Sequence, residues 1–369
     1  MSWNDIVAGI EALEAARLDD VLVERLARAV DQAARGINFY TPTFKAYASS
    51  EIASCGKSAW PAVSITGGAC KLQCDHCKAK VLEPMLPATT PEALWRVVNE
   101  QLALGAKGML LTGGSNHRDE VEYGPFLPVV RRIKDAYPDF RIAMHTALVD
   151  RDTARAMEGS GVDAAMLDVI GAQDTVSQVY HLRRPVEDFE RSLENLVATS
   201  MKVVPHIVIG LHYGRMLGEW RALEMIARYR PAALVLVVVM PFYAPAGRPF
   251  ATPSSREVGR FFLDARAALP GLPILLGCAR PAGRAKLEID AYAVMAGLEG
   301  IAHPADGSVE LALALGRDVR VTPACCSIAL GEEVLALADP AAERIDPRLV
   351  VEAERRRASR ISRIPVVSA

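Results

Sequence analysis

The sequence predicts an α/β fold, a TIM-type (β/α)8 barrel, and two observations carry that prediction. Short continuous apolar runs alternate with helical patterns at intervals of about 30 residues, the size of one βαβ unit. Eight such runs are separated by seven helical segments, which favours a barrel over a doubly wound sheet. The runs are continuous rather than alternating, as befits parallel strands covered on both faces. The rival, a Rossmann-type sheet, lacks its signature, because no G-x-G-x-x-G follows the first run.

Taken in order, residues 1–50 read as an amphipathic helical extension, closed by the turn-prone aromatic stretch NFYTPT (residues 38–43). The barrel, residues 51–310, begins with PAVSIT, GMLLT, RIAMH and AAMLDV (residues 61–66, 108–112, 141–145 and 164–169). It continues with VVPHIVIG, ALVLVVVM, PILLG and GIAH (residues 203–210, 233–240, 273–277 and 300–303). Between them lie helix candidates such as PEALWRVVNEQLALG, EDFERSLENLVATS and SREVGRFFLDARAAL. Residues 311–369 form a C-terminal extension with a Cys325-Cys326 loop and an Arg-rich tail, AERRRASRISR, whose charge run reads as a solvated helix face.

The length of 369 residues suits a barrel of roughly 250 residues with extensions at both ends. With 51% hydrophobic and 23% charged residues the chain is not of the disordered class. Lys plus Arg is 42 and Asp plus Glu is 44, a net charge of −2, which gives no reason to propose nucleic acid or an anionic membrane as partner. The first residues lack a basic segment followed by an apolar one, and ALVLVVVM is far short of the ~20 residues of a membrane span. The expectation is a soluble cytoplasmic protein.

Seven cysteines, three of them within eight residues, do not resemble a secreted disulfide framework. Cys70, Cys74 and Cys77 form a C-x3-C-x2-C motif in the loop after the first strand. Three soft ligands on one loop suit an iron–sulfur cluster, or zinc with His76 or a remote residue as fourth ligand. Three protein ligands on a four-iron cluster leave one iron open to a substrate. Barrel chemistry sits at the carboxyl ends of the strands. Those ends carry the cysteine loop, Gly113-Gly114-Ser115-Asn116, Asp168, Leu211-His212, Phe242-Tyr243 and Cys278-Ala279-Arg280.

The cysteine spacing in this context resembles the radical S-adenosylmethionine (SAM) superfamily. The resemblance implies a 4Fe-4S cluster on Cys70, Cys74 and Cys77 that binds the amino and carboxylate groups of SAM. Reductive cleavage would then give a 5′-deoxyadenosyl radical that abstracts hydrogen. It implies further that Gly113 and Gly114 receive the SAM amino group, with Ser115 where the family often has an acidic residue. Asp168 would contact the ribose or the substrate, and Arg184, or its neighbour Arg183, would contact SAM. Val208 and Ile209 would lie against the adenine unless they are core residues, and His76 would pack nearby.

Cys55, Cys278, Cys325 and Cys326 remain, either as small buried hydrophobes or as ligands of a second, auxiliary 4Fe-4S cluster. From about residue 38 to 330 the chain resembles the two-component lipoyl synthases, on NFYTPTF, SITGGACKLQCDHC, VPHIVIGLHYG, MPFYAPAG, GCARPAGR and the terminal Cys-Cys pair. That resemblance implies a sulfurtransferase acting on an octanoyl chain on a carrier-protein lysine or lipoyl domain. Cys278, Cys325 and Cys326 would then be catalytic, as ligands of a sacrificed auxiliary cluster. The implied partners are a related radical SAM protein and an electron donor such as ferredoxin or flavodoxin. Another biotin-synthase-like enzyme, of hydrogenase-maturation or mutase type, and a non-catalytic metal-binding protein are the rivals.

Overall fold

Side chains alternate across a strand, so one face of each strand meets helices and the other meets the strands opposite. In the segment Lys202–Ile209, Val203, Ile207 and Ile209 join the larger apolar cluster beneath the helices, while Val204 joins a smaller cluster on the opposite face. This two-sided burial explains why the runs are apolar throughout.

The computed structural model describes residues 16–30, 36–42, 51–52, 59–240 and 247–328. Its strands are β1 (Gly36–Tyr40), β2 (Ala62–Ser64), β3 (Leu86–Pro87), β4 (Gly108–Thr112), β5 (Arg141–His145) and β6 (Ala164–Asp168), followed by β7 (Lys202–Ile209), β8 (Leu234–Val238), β9 (Ile274–Leu276), β10 (Gly300–Ala302) and β11 (Asp318–Thr322). They form one curled parallel sheet in the order β11-β1-β10-β9-β8-β7-β6-β5-β4-β2-β3. Ten helices accompany them among the described residues. Several start at side-chain caps: Thr90, Asp150 and Ser254 accept the backbone N–H groups of Ala93, Thr153 and Glu257. Leu94, Val130, Met157, Leu193, Ile226 and Phe262 are the helix residues that seal the outer face.

All eight runs read from the sequence are strands, in the expected spatial order. Closure into an eight-stranded barrel is not what the ladder shows. The edge of β10 that would meet β2 pairs instead with β1, and β1 pairs in turn with β11. The result is a curled half-barrel that extends across both expected boundaries, 50/51 and 310/311. The β1 segment reads as a turn because of Asn38, yet Asn38 is buried and its Oδ1 accepts the Thr322 hydroxyl at 3.0 Å. The β11 segment alternates charged and apolar residues, as an edge strand with one wet face does. The described part of the N-terminal extension holds one helix, Asp20–Val30, packed on the helices Ser255–Ala268 and Arg284–Met295.

A packed TIM-type barrel fills its interior with bulky branched residues. Here Ala62, Ala143, Ala164 and Ala302 are strand residues that are small and buried. Ala62 lines a cavity of about 340 Å³.

Candidate active site

The cavity collects residues from distant parts of the chain. Cys70, Cys74 and Cys77 line it, and so do Cys278, Cys325 and Cys326. Gly113, Gly114, Ser115, Asp168 and His76 are on it as well. Cys55, Phe242 and Tyr243 lie outside the described residues.

The first cysteine loop leaves β2 and turns tightly, with positive φ at Gln73, Lys78 and Ala79. Asp75, inside the motif, fastens it. Its carboxylate accepts from Lys78 Nζ at 2.6 Å and the Tyr213 hydroxyl at 2.9 Å, with His181 Nε2 at 3.0 Å. Burial would raise the Asp75 carboxyl, but these three partners outweigh it and hold it below its ordinary value. Burial pushes the Cys77 thiol up to about 11 and raises that of Cys74 well above its ordinary value. Such thiols ionise only against a compensating cation, which is what a metal cluster provides.

The glycine pair belongs to this loop as much as to any ligand. A Cβ on Gly114 would stand 2.0 Å from the Ala69 carbonyl oxygen and 2.6 Å from Cys70 Cα. The Gly114 N–H donates to Thr66 Oγ1 at 2.7 Å, and Lys71 N–H donates to Ser115 O at 2.9 Å. Beyond them Asn116 Oδ1 accepts from the N–H groups of Arg118 and Glu120. This turn folds Asp119 back onto the cavity, in a positive-φ conformation and only 5% exposed. Burial raises its carboxyl to about 6, against the Ser115 hydrogen bond. Sequence reasoning stopped at Ser115 and missed Asp119; the Asn116 turn is the signal that would have found it.

His145 and His206, also missed, line the cavity beside Asp168. His145 Nε2 is 3.7 Å from Asp168 Oδ1. Burial disfavours charge on both, yet their mutual attraction wins, raising the His145 imidazole and holding Asp168 down at about 2. Burial lowers His206 to about 4 and His76 likewise, so both rings are neutral near pH 7.

The second thiol set comes from two places. Cys278 follows β9, and Cys325 and Cys326 follow β11. Arg280 shapes the first of these. Fully buried, it donates to Asp290 Oδ1 and Oδ2, to Gly277 O at 2.6 Å and to His303 O at 2.9 Å. Cys326 hydrogen-bonds Cys325, which lowers the Cys325 thiol to about 7 and raises its own.

The cysteine loop, its position after β2 and the glycine turn packed on it agree with a family model, the radical SAM superfamily, that matches residues 64–226. Residues 64–226 form a radical SAM domain. That domain implies a 4Fe-4S cluster and SAM as its cofactors. The residues fit them: three thiols share one loop, and beside it His76 Nδ1 and the Tyr180 hydroxyl are buried with no hydrogen-bond partner among the described residues. The two rings are 5.1 Å apart.

Solved structures agree at the level of fold. The chain is similar to HydG, a maturase of the FeFe-hydrogenase, at 12% identity and TM-score 0.56, covering all of this chain and 94% of that one. HydG from Carboxydothermus hydrogenoformans gives 13%, 0.52, 99% and 87%. Methylornithine synthase, PylB, gives 14% and 0.51, with 82% of each chain covered. No curated protein sequence matches.

Within the radical SAM domain, two of the expected cofactor contacts stand away from the cavity. Ile209 is fully buried in the layer under the helices, and its neighbour Val208 lines the cavity instead. Arg184 binds Asp188 at 2.8 Å, Glu120 at 3.3 Å and the Arg118 carbonyl at 2.8 Å. Arg183 is exposed.

Proposed function

We propose that the protein is a radical SAM sulfurtransferase, one component of a two-component lipoyl synthase, that inserts sulfur into an octanoyl chain carried on a lysine of a carrier protein or lipoyl domain. The observation that carries this reading is that two thiol sets face one cavity. The wall they share is largely aliphatic, with Val81, Leu82, Met85, Leu110 and Val237. Cys70, Cys74 and Cys77 would hold the SAM-binding cluster; Cys278, Cys325 and Cys326 offer three thiols to an auxiliary cluster. When bound, these groups supply a hydrogen-abstracting radical and a source of sulfur. The chain's own part is positional. The apolar wall takes an alkyl chain and excludes water, and Asp75 and Arg280 fix the two thiol sets relative to the sheet. No helix among the described residues is long and apolar enough to cross a membrane; the proposed setting is the cytoplasm. A related radical SAM protein and a ferredoxin or flavodoxin complete the proposed system.

The test supplies an octanoyl-lysyl peptide, SAM, a reductant and the partner protein under anaerobic conditions. Mass spectrometry should find sulfur on the octanoyl chain. Sulfur on dethiobiotin, or on free octanoate in preference to the peptide, would overturn the substrate assignment.

A further inference from the structure

We propose that His145, Asp168 and His206 form a mononuclear divalent-metal site, separate from both thiol sets, with open coordination positions on the cavity. The inference goes beyond the proposed sulfur insertion and does not rest on it.

The three residues come from the adjacent strands β5, β6 and β7. Asp168 is paired in register with His206, and His145 with Met166 two residues before Asp168. Their neighbours at the next positions on the same face, Ala143, Met166, Val204 and Val208, are apolar. Polar side chains thus interrupt an apolar surface on three adjacent strands. The candidate ligand atoms, one per residue, all lie within 4.8 Å of one another. Metal–ligand bonds of about 2.0–2.2 Å place ligand atoms roughly 3–3.5 Å apart, so small side-chain rotations suffice. The two imidazole rings are 5.6 Å apart and inclined at 61°, not stacked, which leaves room for an ion between their nitrogens.

His206 carries the arrangement seen around metal-bound histidines. Its Nδ1 is 3.0 Å from the Val204 carbonyl oxygen, and donation there leaves the Nε2 lone pair for the metal. Two imidazoles, which give up any proton on binding a metal, and one carboxylate suit zinc or ferrous iron. Three protein ligands leave positions for water or for an anionic sulfur or oxygen group entering from the cavity. This gives Asp168 a different task from contact with the SAM ribose.

Zinc is the probe, because it outcompetes ferrous iron at such donors and is distinguishable from cluster iron. Full-length protein with reconstituted clusters is incubated with zinc sulfate, desalted, and analysed for zinc, iron and sulfide. About one zinc per chain should remain, and X-ray absorption at the zinc edge should show a nitrogen and oxygen shell. His145→Gln and His206→Gln should each lower zinc affinity by more than the roughly 10–100-fold that loss of an outer-shell partner costs, with iron and sulfide unchanged. Absence of zinc from the unmodified protein, a sulfur shell, or undiminished zinc in both variants would overturn the proposal. Because the absorption spectrum is taken on the unmodified protein, it decides the matter even where a variant fails to fold.

Discussion

The two thiol sets reach the same cavity by opposite routes. Cys70, Cys74 and Cys77 lie in one loop, and what holds that loop is local and polar: the Asp75 carboxylate with Lys78, His181 and Tyr213. Cys278 is separated from Cys325 and Cys326 by two strands and two helices, and what orients it is a buried ion pair, Arg280 with Asp290. A ligand set contained in one loop depends on a few hydrogen bonds. One assembled from separate segments depends on the whole C-terminal part of the sheet, including β11.

The largest effect should come from the contiguous set. A Cys70/Cys74/Cys77→Ala variant should lose reductive SAM cleavage altogether, measured as 5′-deoxyadenosine released. Continued release would break the assignment of this loop. The dispersed set should behave differently. Cys325→Ala combined with Cys326→Ala should keep SAM cleavage, lose sulfur transfer, and retain about half of the iron, if each set holds one four-iron cluster. Equal iron in variant and wild type would make the second set an ordinary group of buried thiols.

Arg280→Ala tests what orients the dispersed set. Removing one partner of a buried pair costs about 3–5 kcal/mol. Lys286 also reaches Asp290, at 3.0 Å, and keeps part of the compensation, so the loss in denaturant unfolding should fall at the lower end. Any iron lost should be that of the second set. Gly114→Ala tests the contiguous loop. Its Cβ would meet backbone atoms, not a flexible side-chain end, so the overpacking cost should be about 1–3 kcal/mol, with weaker retention of the first cluster. A variant as stable as wild type, with full iron, would mean that the glycine turn and the cysteine loop do not need their close approach.

The same contrast explains what could be read in advance. The eight inner strands and the first cysteines were legible because their signals are local: a continuous apolar run, or a ligand spacing within one loop. β1 was not, because Asn38 looks like a turn residue until Thr322 arrives from 284 positions away. Nor was β11, whose charged alternate residues make sense only at a sheet edge. Asp119, His145 and His206 escaped because each looks ordinary in its own segment. They become a group only when the sheet aligns β5, β6 and β7 and the Asn116 turn brings the chain back. Ile209 illustrates the reverse: a one-residue difference in strand parity sends it to the helices and Val208 to the cavity.

The smallest effect should come from Arg184, where the resemblance and the structure assign different tasks. As a direct SAM contact it would contribute a charge-assisted hydrogen bond, and its loss would weaken binding independently of other residues. In the structure its side chain, 29% exposed, holds the carbonyl of Arg118 and the carboxylate of Glu120 through the guanidinium. Those two residues flank Asp119, the buried carboxylate that faces the cavity. Partly exposed ion pairs contribute about 0.2–1 kcal/mol each, so Arg184→Ala should cost on the order of 1 kcal/mol, roughly fivefold in any affinity that depends on the loop. If Arg184 acts by holding this loop, the double variant with Asp119→Asn should bind SAM no more weakly than Asp119→Asn alone, because the second change removes nothing further. Equilibrium binding to the four members of this cycle gives the answer. Losses that add in full would return Arg184 to direct contact with SAM and leave the Asn116 turn to hold Asp119 unaided.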